Sequence, residues 1–118
     1  MCGIIGILDT TGKTNQATLE AMSACQAHRG PDDAGVFVDK QSGVYLAHQR
    51  LSLIDLSAAG HQPMQRDNLV ISYNGEIYNF GEIRTELGQL GVQFESDSDT
   101  EVLLAAWQQW GEEAIAKC

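Results

Sequence analysis

Short apolar runs bounded by turn residues fill the first half of the chain and predict β-strands. Residues 3–8 are almost wholly apolar and contain two glycines, which indicates a buried strand with close backbone approach. Residues 34–38 and 44–48 are predicted as strands on either side of a turn-rich segment. Residues 51–68 contain Gly and Pro and show little periodicity, so we expect them to be mostly irregular. A further short strand is predicted at residues 69–73.

Helical spacing of apolar residues alternates with these strands. A first helix is predicted at residues 15–27, with Thr14 or Asn15 as its N-cap. Three of its residues are expected to share one face: Leu19, Met22 and Cys25. On this pattern Cys25 is interpreted as a core residue, because a buried free cysteine behaves as a small apolar side chain.

The last third of the chain is predicted to be helical. Residues 80–90 have helical period, and Gly91 stands where a helix commonly ends. The sequence Ser-Asp-Thr-Glu at residues 98–101 is a capping-box pattern, which predicts a helix that ends near Gly111. Residues 112–118 begin another helical turn. Strands first, helices between and after them, and short connections together predict the α+β class.

Amino-acid composition limits the kinds of partner that the chain can bind. The chain has 118 residues, enough for one domain at most, and 43% of them are hydrophobic, enough for a core. Sixteen acidic residues against seven basic ones give a net charge of −9, which argues against nucleic acid or an anionic membrane as a partner. The acidic residues are spread along the chain, so they are interpreted as solvated surface.

The cysteines and the N-terminus indicate a cytoplasmic protein. The three cysteines are odd in number and lack Cys-x-x-Cys spacing, so neither a disulfide framework nor a zinc site is expected: Cys2, Cys25 and Cys118. The first residues contain no basic segment and reach Asp9 quickly. That pattern is typical of neither a signal peptide nor a membrane span.

Cys2 is the strongest candidate for chemistry, because only Met1 precedes it. Loss of Met1 would leave one residue with both a thiol and a free α-amine. The amine, with an unperturbed pKa of about 8, could take the proton of the thiol, whose unperturbed pKa is about 8.5. Such pairing is a known way to activate a nucleophile. The ordinary alternative is that Cys2 is simply a small apolar residue.

Asn74 and Gly75 have two interpretations. Asn-Gly is the favoured two-residue hairpin turn, and sequence pattern alone favours that interpretation. The functional alternative is an oxyanion hole made by the side-chain amide and a neighbouring backbone N–H. Loss of one such donor costs about 3–4 kcal/mol of transition-state stabilisation.

Three charged residues could hold an amino acid. Arg50 follows a predicted strand, and its planar guanidinium could bind a carboxylate through two hydrogen bonds, although a lone Arg is usually a surface charge. Asp99 could pair with an ammonium group, although an acidic residue is also favourable in a first helical turn. Glu76 could be a second acceptor for that ammonium. The histidines are too scattered for a metal site: His28, His48 and His61.

Six segments occur in a fixed order along the chain: 1–6, 28–32, 50–55, 60–64, 74–79 and 98–101. Together they resemble the N-terminal glutaminase domain of glutamine-dependent asparagine synthetase, a class II glutamine amidotransferase of the N-terminal nucleophile hydrolase superfamily. The resemblance covers essentially the whole chain. Each segment is weak alone, but six in order are highly specific. The Arg-Gly-Pro-Asp sequence at residues 29–32, with Asn79, favours the asparagine synthetase branch over its amidotransferase cousins.

The resemblance implies a fold and a set of roles. The implied fold is a four-layer α-β-β-α sandwich of two antiparallel sheets. Cys2 matches the nucleophile, and Asn74 and Gly75 match the oxyanion donors. Arg50 matches the carboxylate-binding residue, and Asp99 and Glu76 match the residues that hold the α-amino group. The implied glutamine-binding set is Arg50, Leu51, Ser52, Leu53, Ile54, Asn74, Gly75, Glu76 and Asp99.

The resemblance also implies what lies outside the chain. Further strands and an ATP-binding synthetase domain would follow residues 110–118, so residues 1–118 are expected to be a C-terminally truncated glutaminase domain. No cofactor is expected within it, since ATP and Mg²⁺ would belong to the absent synthetase domain. L-glutamine is the expected ligand, and a homodimer of the full-length form is compatible with the resemblance. The alternatives are a catalytically inactive fragment and an amidotransferase with a different ammonia acceptor.

Overall fold

The computed structural model describes residues 1–51 and 58–118, which belong to two compact units. Unit 1 contains residues 1–51, 61–63 and 72–74. Unit 2 contains residues 58–60, 64–71 and 75–118. Each unit has an antiparallel sheet and at least one helix of its own, which confirms the predicted α+β class with two antiparallel sheets. The four-layer arrangement stays a prediction.

The sheet of unit 1 is a three-stranded antiparallel sheet in the order β1-β3-β2. Its strands are β1 (Gly3–Leu8), β2 (Asp33–Asp39) and β3 (Val44–Arg50). Gly3 lies opposite Gln49, and Arg50 lies opposite Asp33 on the other edge of β3. All three predicted strands are confirmed, and β2 and β3 extend beyond the predicted ranges. The central strand β3 therefore pairs with both other strands of the sheet.

One face of this sheet packs on the helix α1 (Gln16–Cys25). The buried cluster on that face is Ile5, Leu19, Tyr45 and Ala47, with Ile7 and Val38 packed against it. The members from the sheet alternate along their strands, because successive side chains point to opposite faces. Leu19 is completely buried, which contributes about 2 kcal/mol of hydrophobic stabilisation.

The interpretation of Cys25 as a core residue is wrong, because α1 buries a different face. Leu19 and Ser23 are its buried residues, whereas Cys25 is exposed and its Sγ donates to the Ala21 carbonyl at 3.3 Å. At about 100° per residue, Cys25 lies about 140° from the midpoint of the buried pair. Met22, at 44% exposure, is also outside the core. A polar contact decides the rotation, since Ser23 Oγ accepts from Gln49 Nε2 at 2.9 Å.

The N-terminus of α1 is capped by Asn15, one of the two predicted caps. Its Oδ1 accepts the N–H of Thr18 at 2.9 Å. The carbonyl of Thr14, the other candidate, accepts instead from the hydroxyl of Tyr45 at 3.0 Å. That hydrogen bond ties the start of the helix to β3.

Unit 2 begins with a two-stranded hairpin that the sequence only partly predicted. Strand β4 (Met64–Arg66) pairs with β5 (Leu69–Ile71) through a two-residue turn. Asp67 in that turn has a φ of 50°, a left-handed conformation that Asp tolerates better than most residues. Strand β4 falls in the range expected to be mostly irregular, and β5 ends two residues earlier than predicted.

The helix α2 (Phe80–Gln89) ends as its sequence predicted. Gly91 has a φ of 90°, and its N–H donates to the carbonyl of Gly88 at 3.0 Å. The N–H of Val92 donates to the carbonyl of Leu87, also at 3.0 Å. These two bonds form a Schellman motif, which requires a residue that accepts positive φ. Leu87 is fully buried, so the motif closes the helix over the core of unit 2.

The helix α3 (Asp99–Trp110) is the central element of unit 2, because all eight residues from Asp99 to Ala106 are buried. It ends at Gly111, whose φ is 60°, and the short α4 (Glu113–Lys117) follows. Both helices agree with the sequence prediction. No helix in the described part of the chain is long and apolar enough to cross a membrane.

The capping box predicted for α3 is only half right. Ser98 is the N-cap, and its Oγ accepts the N–H of Thr100 at 3.1 Å. Glu101 does not return to Ser98. Its carboxylate accepts instead from the N–H of Glu95 at 2.9 Å and from the N–H and Oγ of Ser96 at 2.7 and 2.6 Å. The buried Glu101 therefore orders the loop before the helix.

Candidate active site

The sulfur of Cys2 lies at the end of the sheet in unit 1, against the residue that follows β3. The N–H of Leu51 donates to Cys2 Sγ at 3.3 Å, and the thiol donates to the Leu51 carbonyl at 3.6 Å. A thiolate would keep the first bond and lose the second. The Leu51 N–H would then interact with a full negative charge, which strengthens a hydrogen bond. Met1 is 75% exposed, so the bond that precedes Cys2 is accessible to an aminopeptidase.

Arg50 lies beside Cys2 at the same end of the sheet. Gly3 and Gln49 are paired, so the residues next to them along the chain, Cys2 and Arg50, are neighbours at this end of the sheet. Strand alternation directs their side chains to the face that also carries His48. Arg50 is only 8% exposed, so it is not the surface charge that a lone Arg usually is. Its main-chain carbonyl accepts the N–H of Asp32 at 3.0 Å.

A loop that includes Arg29 closes over the same sheet end. Residues Ala27–Arg29 form a 3-10 helix, and Arg29 Nε donates to the carbonyl of Cys2 at 3.3 Å. Gly30 follows it, and a Cβ there would collide with the backbone of Gln49. The segment thus combines a short helical turn with an ordered loop. Arg29 is a contact of Cys2 that residue-by-residue reasoning missed, although it stands within one of the six recognised segments.

Asn74 and Gly75 do not form a hairpin turn, so the interpretation that sequence pattern favoured is wrong. The strand before them, β5, ends at Ile71 and pairs with β4, and residues 75–79 form no strand. Residues 72–74 belong to unit 1, where Ser72 Oγ donates to the carbonyl of Ala47 at 3.2 Å. Asn74 is exposed at the end of this segment. Its side chain is therefore available to a ligand.

The residue before Asn74 is held on both of its backbone groups. The N–H of Tyr73 donates to Gln62 Oε1 at 2.7 Å, and the carbonyl of Tyr73 accepts from His48 Nε2 at 3.0 Å. His48 is 1% exposed, and burial lowers its pKa, which the nearby charge of Arg50 lowers further. The other ring nitrogen, Nδ1, is buried without a hydrogen-bond partner among the described residues. His48 is therefore the neutral tautomer with its proton on Nε2.

Unit 2 contains the remaining described candidates. Asp99 is buried at the first position of α3, and its Oδ2 accepts the N–H of Ile77 at 3.0 Å. No described residue donates a hydrogen bond to Asp99 Oδ1, so that oxygen is available to a ligand. The structure thus joins Asp99 to the segment that begins with Gly75 and Glu76, both of which are exposed.

The structure places the predicted site residues in two groups. Cys2, Arg50 and Leu51 meet at the end of β3, and Asn74 is attached to the same strand through Ser72 and Tyr73. The second group lies in unit 2: Gly75, Glu76 and Asp99. Three predicted residues lie outside the described residues: Ser52, Leu53 and Ile54. Within residues 1–51 and 58–118, no three His, Cys, Asp or Glu side chains are grouped so as to hold a metal ion.

Known proteins have sequences similar to almost the whole of this chain. Asparagine synthetases 1 and 3 of Bacillus subtilis, both named as glutamine-hydrolysing, are 41% and 40% identical to it over 99% and 98% of this chain. The glutamine-hydrolysing asparagine synthetase B of Escherichia coli is 40% identical over 98% of this chain. The chain spans about a fifth of the length of these relatives, 19%, 19% and 21%.

The family comparison covers every residue of the chain. Residues 1–118 match the family described as the glutamine amidotransferase domain. This agrees with the resemblance drawn from the six ordered segments, and the relatives extend it to the glutaminase region of asparagine synthetases. The chain belongs to the glutamine amidotransferase domain family.

Proposed function

We propose that this chain hydrolyses L-glutamine to glutamate and ammonia, with Cys2 as the nucleophile. After loss of Met1, the α-amine of Cys2 takes the thiol proton, and the thiolate attacks the carboxamide carbon. The tetrahedral oxyanion accepts hydrogen bonds from the side-chain amide of Asn74 and the N–H of Gly75. The protonated α-amine returns its proton to the leaving nitrogen, and ammonia departs. Water then hydrolyses the γ-glutamyl thioester and restores the thiol.

The observation that carries the proposal is the contact of Cys2 with Leu51. The Sγ of Cys2 lies 3.3 Å from the backbone N–H of Leu51, a donor that would also hydrogen-bond the attacking thiolate. The other two cysteines are exposed, and neither has such surroundings. Partial desolvation raises the pKa of the exposed Cys118 thiol, which disfavours its thiolate. Cys2 is therefore the best-supported nucleophile among the three.

Glutamine recognition is assigned to three charged residues that the resemblance names for it. Arg50 binds the α-carboxylate through its guanidinium fork, while the other residues assigned to this role, 52–54, lie outside the described part of the chain. Asp99 binds the α-ammonium through Oδ1, with Glu76 as a second acceptor. The hydrogen bond from Ile77 to Asp99 Oδ2 supports this role, because it fixes the carboxylate and leaves one oxygen for the ligand.

The ammonia acceptor is proposed from the relatives. They are named as glutamine-hydrolysing asparagine synthetases, so ammonia is proposed to react with an activated aspartate, β-aspartyl-adenylate, on a synthetase domain. ATP and Mg²⁺ would belong to that domain and not to this chain. We propose a cytoplasmic location, in keeping with three unpaired cysteines.

The test compares two cysteine variants by glutamate release. Cys2→Ala should abolish turnover and leave glutamine binding measurable by calorimetry, because recognition uses other groups. Cys25→Ala is the matched control, since Cys25 is an exposed thiol in the same unit. Its activity should remain within about two-fold of the unmodified chain, since surface substitutions usually change little. An active Cys2→Ala variant would remove the nucleophile assignment. An unmodified chain that binds glutamine without turnover would support the inactive-fragment alternative.

A further inference from the structure

We propose that His48 and Gln62 position Asn74 for catalysis by clamping the backbone of Tyr73. We call this pair of residues the Tyr73 clamp. The inference rests on the proposed function, because it assigns these two residues to the oxyanion donor of that reaction. Neither residue is proposed to touch glutamine.

The clamp acts on both peptide planes around Tyr73. Gln62 Oε1 accepts the Tyr73 N–H at 2.7 Å, and His48 Nε2 donates to the Tyr73 carbonyl at 3.0 Å. That carbonyl belongs to the peptide unit whose nitrogen is the nitrogen of Asn74. Because a peptide unit is planar, fixing its oxygen also fixes the direction in which the Asn74 Cα leaves. The clamp therefore determines where the Asn74 side chain begins.

Both residues of the clamp are supported by the same position in the sheet. His48 in β3 pairs directly with Gly35 in β2. Gln62 packs on that glycine so closely that a Cβ at Gly35 would collide with the Gln62 carbonyl and with the ring of His61. The two residues thus rest on one pair of adjacent strands. The paired strands β2 and β3 therefore support both residues that hydrogen-bond the backbone of Tyr73.

The side chain of Asn74 is the group that the clamp would position. It is exposed, and no described residue hydrogen-bonds it, so its position depends on its own backbone. Oxyanion stabilisation needs donors placed to within about 0.5 Å. A misplacement of about 1 Å can cost roughly 100-fold in rate. Backbone positioning is thus the means by which the described residues can place this amide.

Fold stability alone does not explain a histidine at position 48. Its Nδ1 is buried without a partner among the described residues, and an unsatisfied buried acceptor is destabilising. A leucine or phenylalanine would fill the site without that cost. What an apolar residue lacks is the Nε2–H donor to Tyr73. Burial lowers the pKa of His48, which keeps the ring neutral and the single proton on Nε2, where the carbonyl accepts it.

The kinetic test uses two amides of different length. In His48→Gln the terminal NH₂ stands as many bonds from the backbone as Nε2, so it can reach the Tyr73 carbonyl. In His48→Asn it is one bond short. We expect His48→Asn to lower kcat for glutamine hydrolysis at least ten-fold with KM within two-fold, and His48→Gln to restore most of the loss. Tyr45→Phe is the control, because it removes one side-chain-to-backbone hydrogen bond from the same strand, away from Tyr73.

The outcomes separate the clamp from a merely structural role. Equal kcat in the Gln and Asn variants, or a loss in Tyr45→Phe as large as in His48→Asn, overturns the proposal. A change in KM alone also overturns it, because the clamp acts on the transition state. The melting temperatures of all three variants are measured as well. The loss of kcat in His48→Asn must be present at assay temperatures well below the melting temperature of that variant.

A second measurement tests the Tyr73 clamp even if the chain does not hydrolyse glutamine. If the unmodified chain releases no glutamate, the proposed function fails, and nitrogen NMR of the chain then tests the geometry alone. The clamp requires the Nε2–H tautomer of His48, and it requires faster backbone motion at Asn74 in His48→Asn than in His48→Gln. The Nδ1–H tautomer, or equal motion at Asn74 in both variants, refutes it.

Discussion

The carboxylate of Glu101 offers a quantitative test of how unit 2 is held together. Its side chain is 8% exposed and accepts three short hydrogen bonds from Glu95 and Ser96, with Arg66 Nη1 at 3.5 Å from Oε1. Glu101→Gln keeps the shape and removes the charge. The new amide has one oxygen, so it can accept from Ser96 or from Glu95 but not from both. The other donor then faces an NH₂ group and loses its partner.

The expected loss of stability follows from these contacts. The Glu95 N–H makes a part-buried hydrogen bond whose loss costs about 0.5–1.5 kcal/mol, and replacing charged by neutral hydrogen bonds at Ser96 costs about 1 kcal/mol more. The ion pair with Arg66 adds little, since it is long and Arg66 is partly exposed. The sum is about 1.5–2.5 kcal/mol, a sizeable share of a typical domain stability of about 5–15 kcal/mol.

The assay is urea denaturation of the unmodified chain and two variants. Glu86→Gln is the matched control, because Glu86 bonds Lys117 Nζ at 2.8 Å on the surface. Such exposed pairs contribute about 0–1 kcal/mol. A loss below about 1 kcal/mol for Glu101→Gln, or equal losses in both variants, would refute the reasoning. The slope of free energy against urea should stay unchanged, since neither variant alters the surface exposed on unfolding.

Three further predictions concern the site. Active preparations should lack Met1, since the α-amine of Cys2 is the proposed base; intact-mass spectrometry decides this, and full activity with Met1 retained would contradict it. Arg50→Lys should raise KM for glutamine by about ten-fold or more, because an ammonium cannot form two parallel bonds to a carboxylate, and an unchanged KM would remove Arg50 from the site. Burial lowers the pKa of His48 in the folded chain, so below about 6.5 the unfolded chain binds a proton that the folded chain does not, and stability should fall from pH 7 to pH 5. His48→Phe should flatten that slope in denaturation experiments, and an identical slope would contradict the assignment.

Local pattern predicted most of the fold because most elements here have strong local causes. Strands β1 to β3 have apolar runs and turn residues at their ends, and α2 ends at a glycine that must take positive φ. Strand β4 was missed because three residues are too few for alternation to be visible. Its only signal was the Asp-Asn pair at residues 67–68, a turn-type pair that stands before the apolar residues 69–71.

The errors share a physical cause: contacts between residues distant in sequence. Gln49 determines which face of α1 is buried, from 26 residues beyond Ser23, and so leaves Cys25 exposed. The bond from His48 to Tyr73 joins residues 25 apart, so neither spacing nor propensity indicates it. The resemblance supplied the candidate residues, and the structure shows which neighbours hold them.

The central position of β3 affects how cooperatively the site residues of unit 1 unfold. Strands pair with β3 on both of its edges, so its backbone can separate only when both sets of bonds break. Such segments open last, and frayed ends open first. Arg50 and His48 belong to this strand, and the sulfur of Cys2 rests against the residue that follows it. On heating, the arrangement of Cys2, His48 and Arg50 should therefore persist until the sheet of unit 1 melts as a whole, and the accessibility of the Cys2 thiol would then report the folded fraction of that unit.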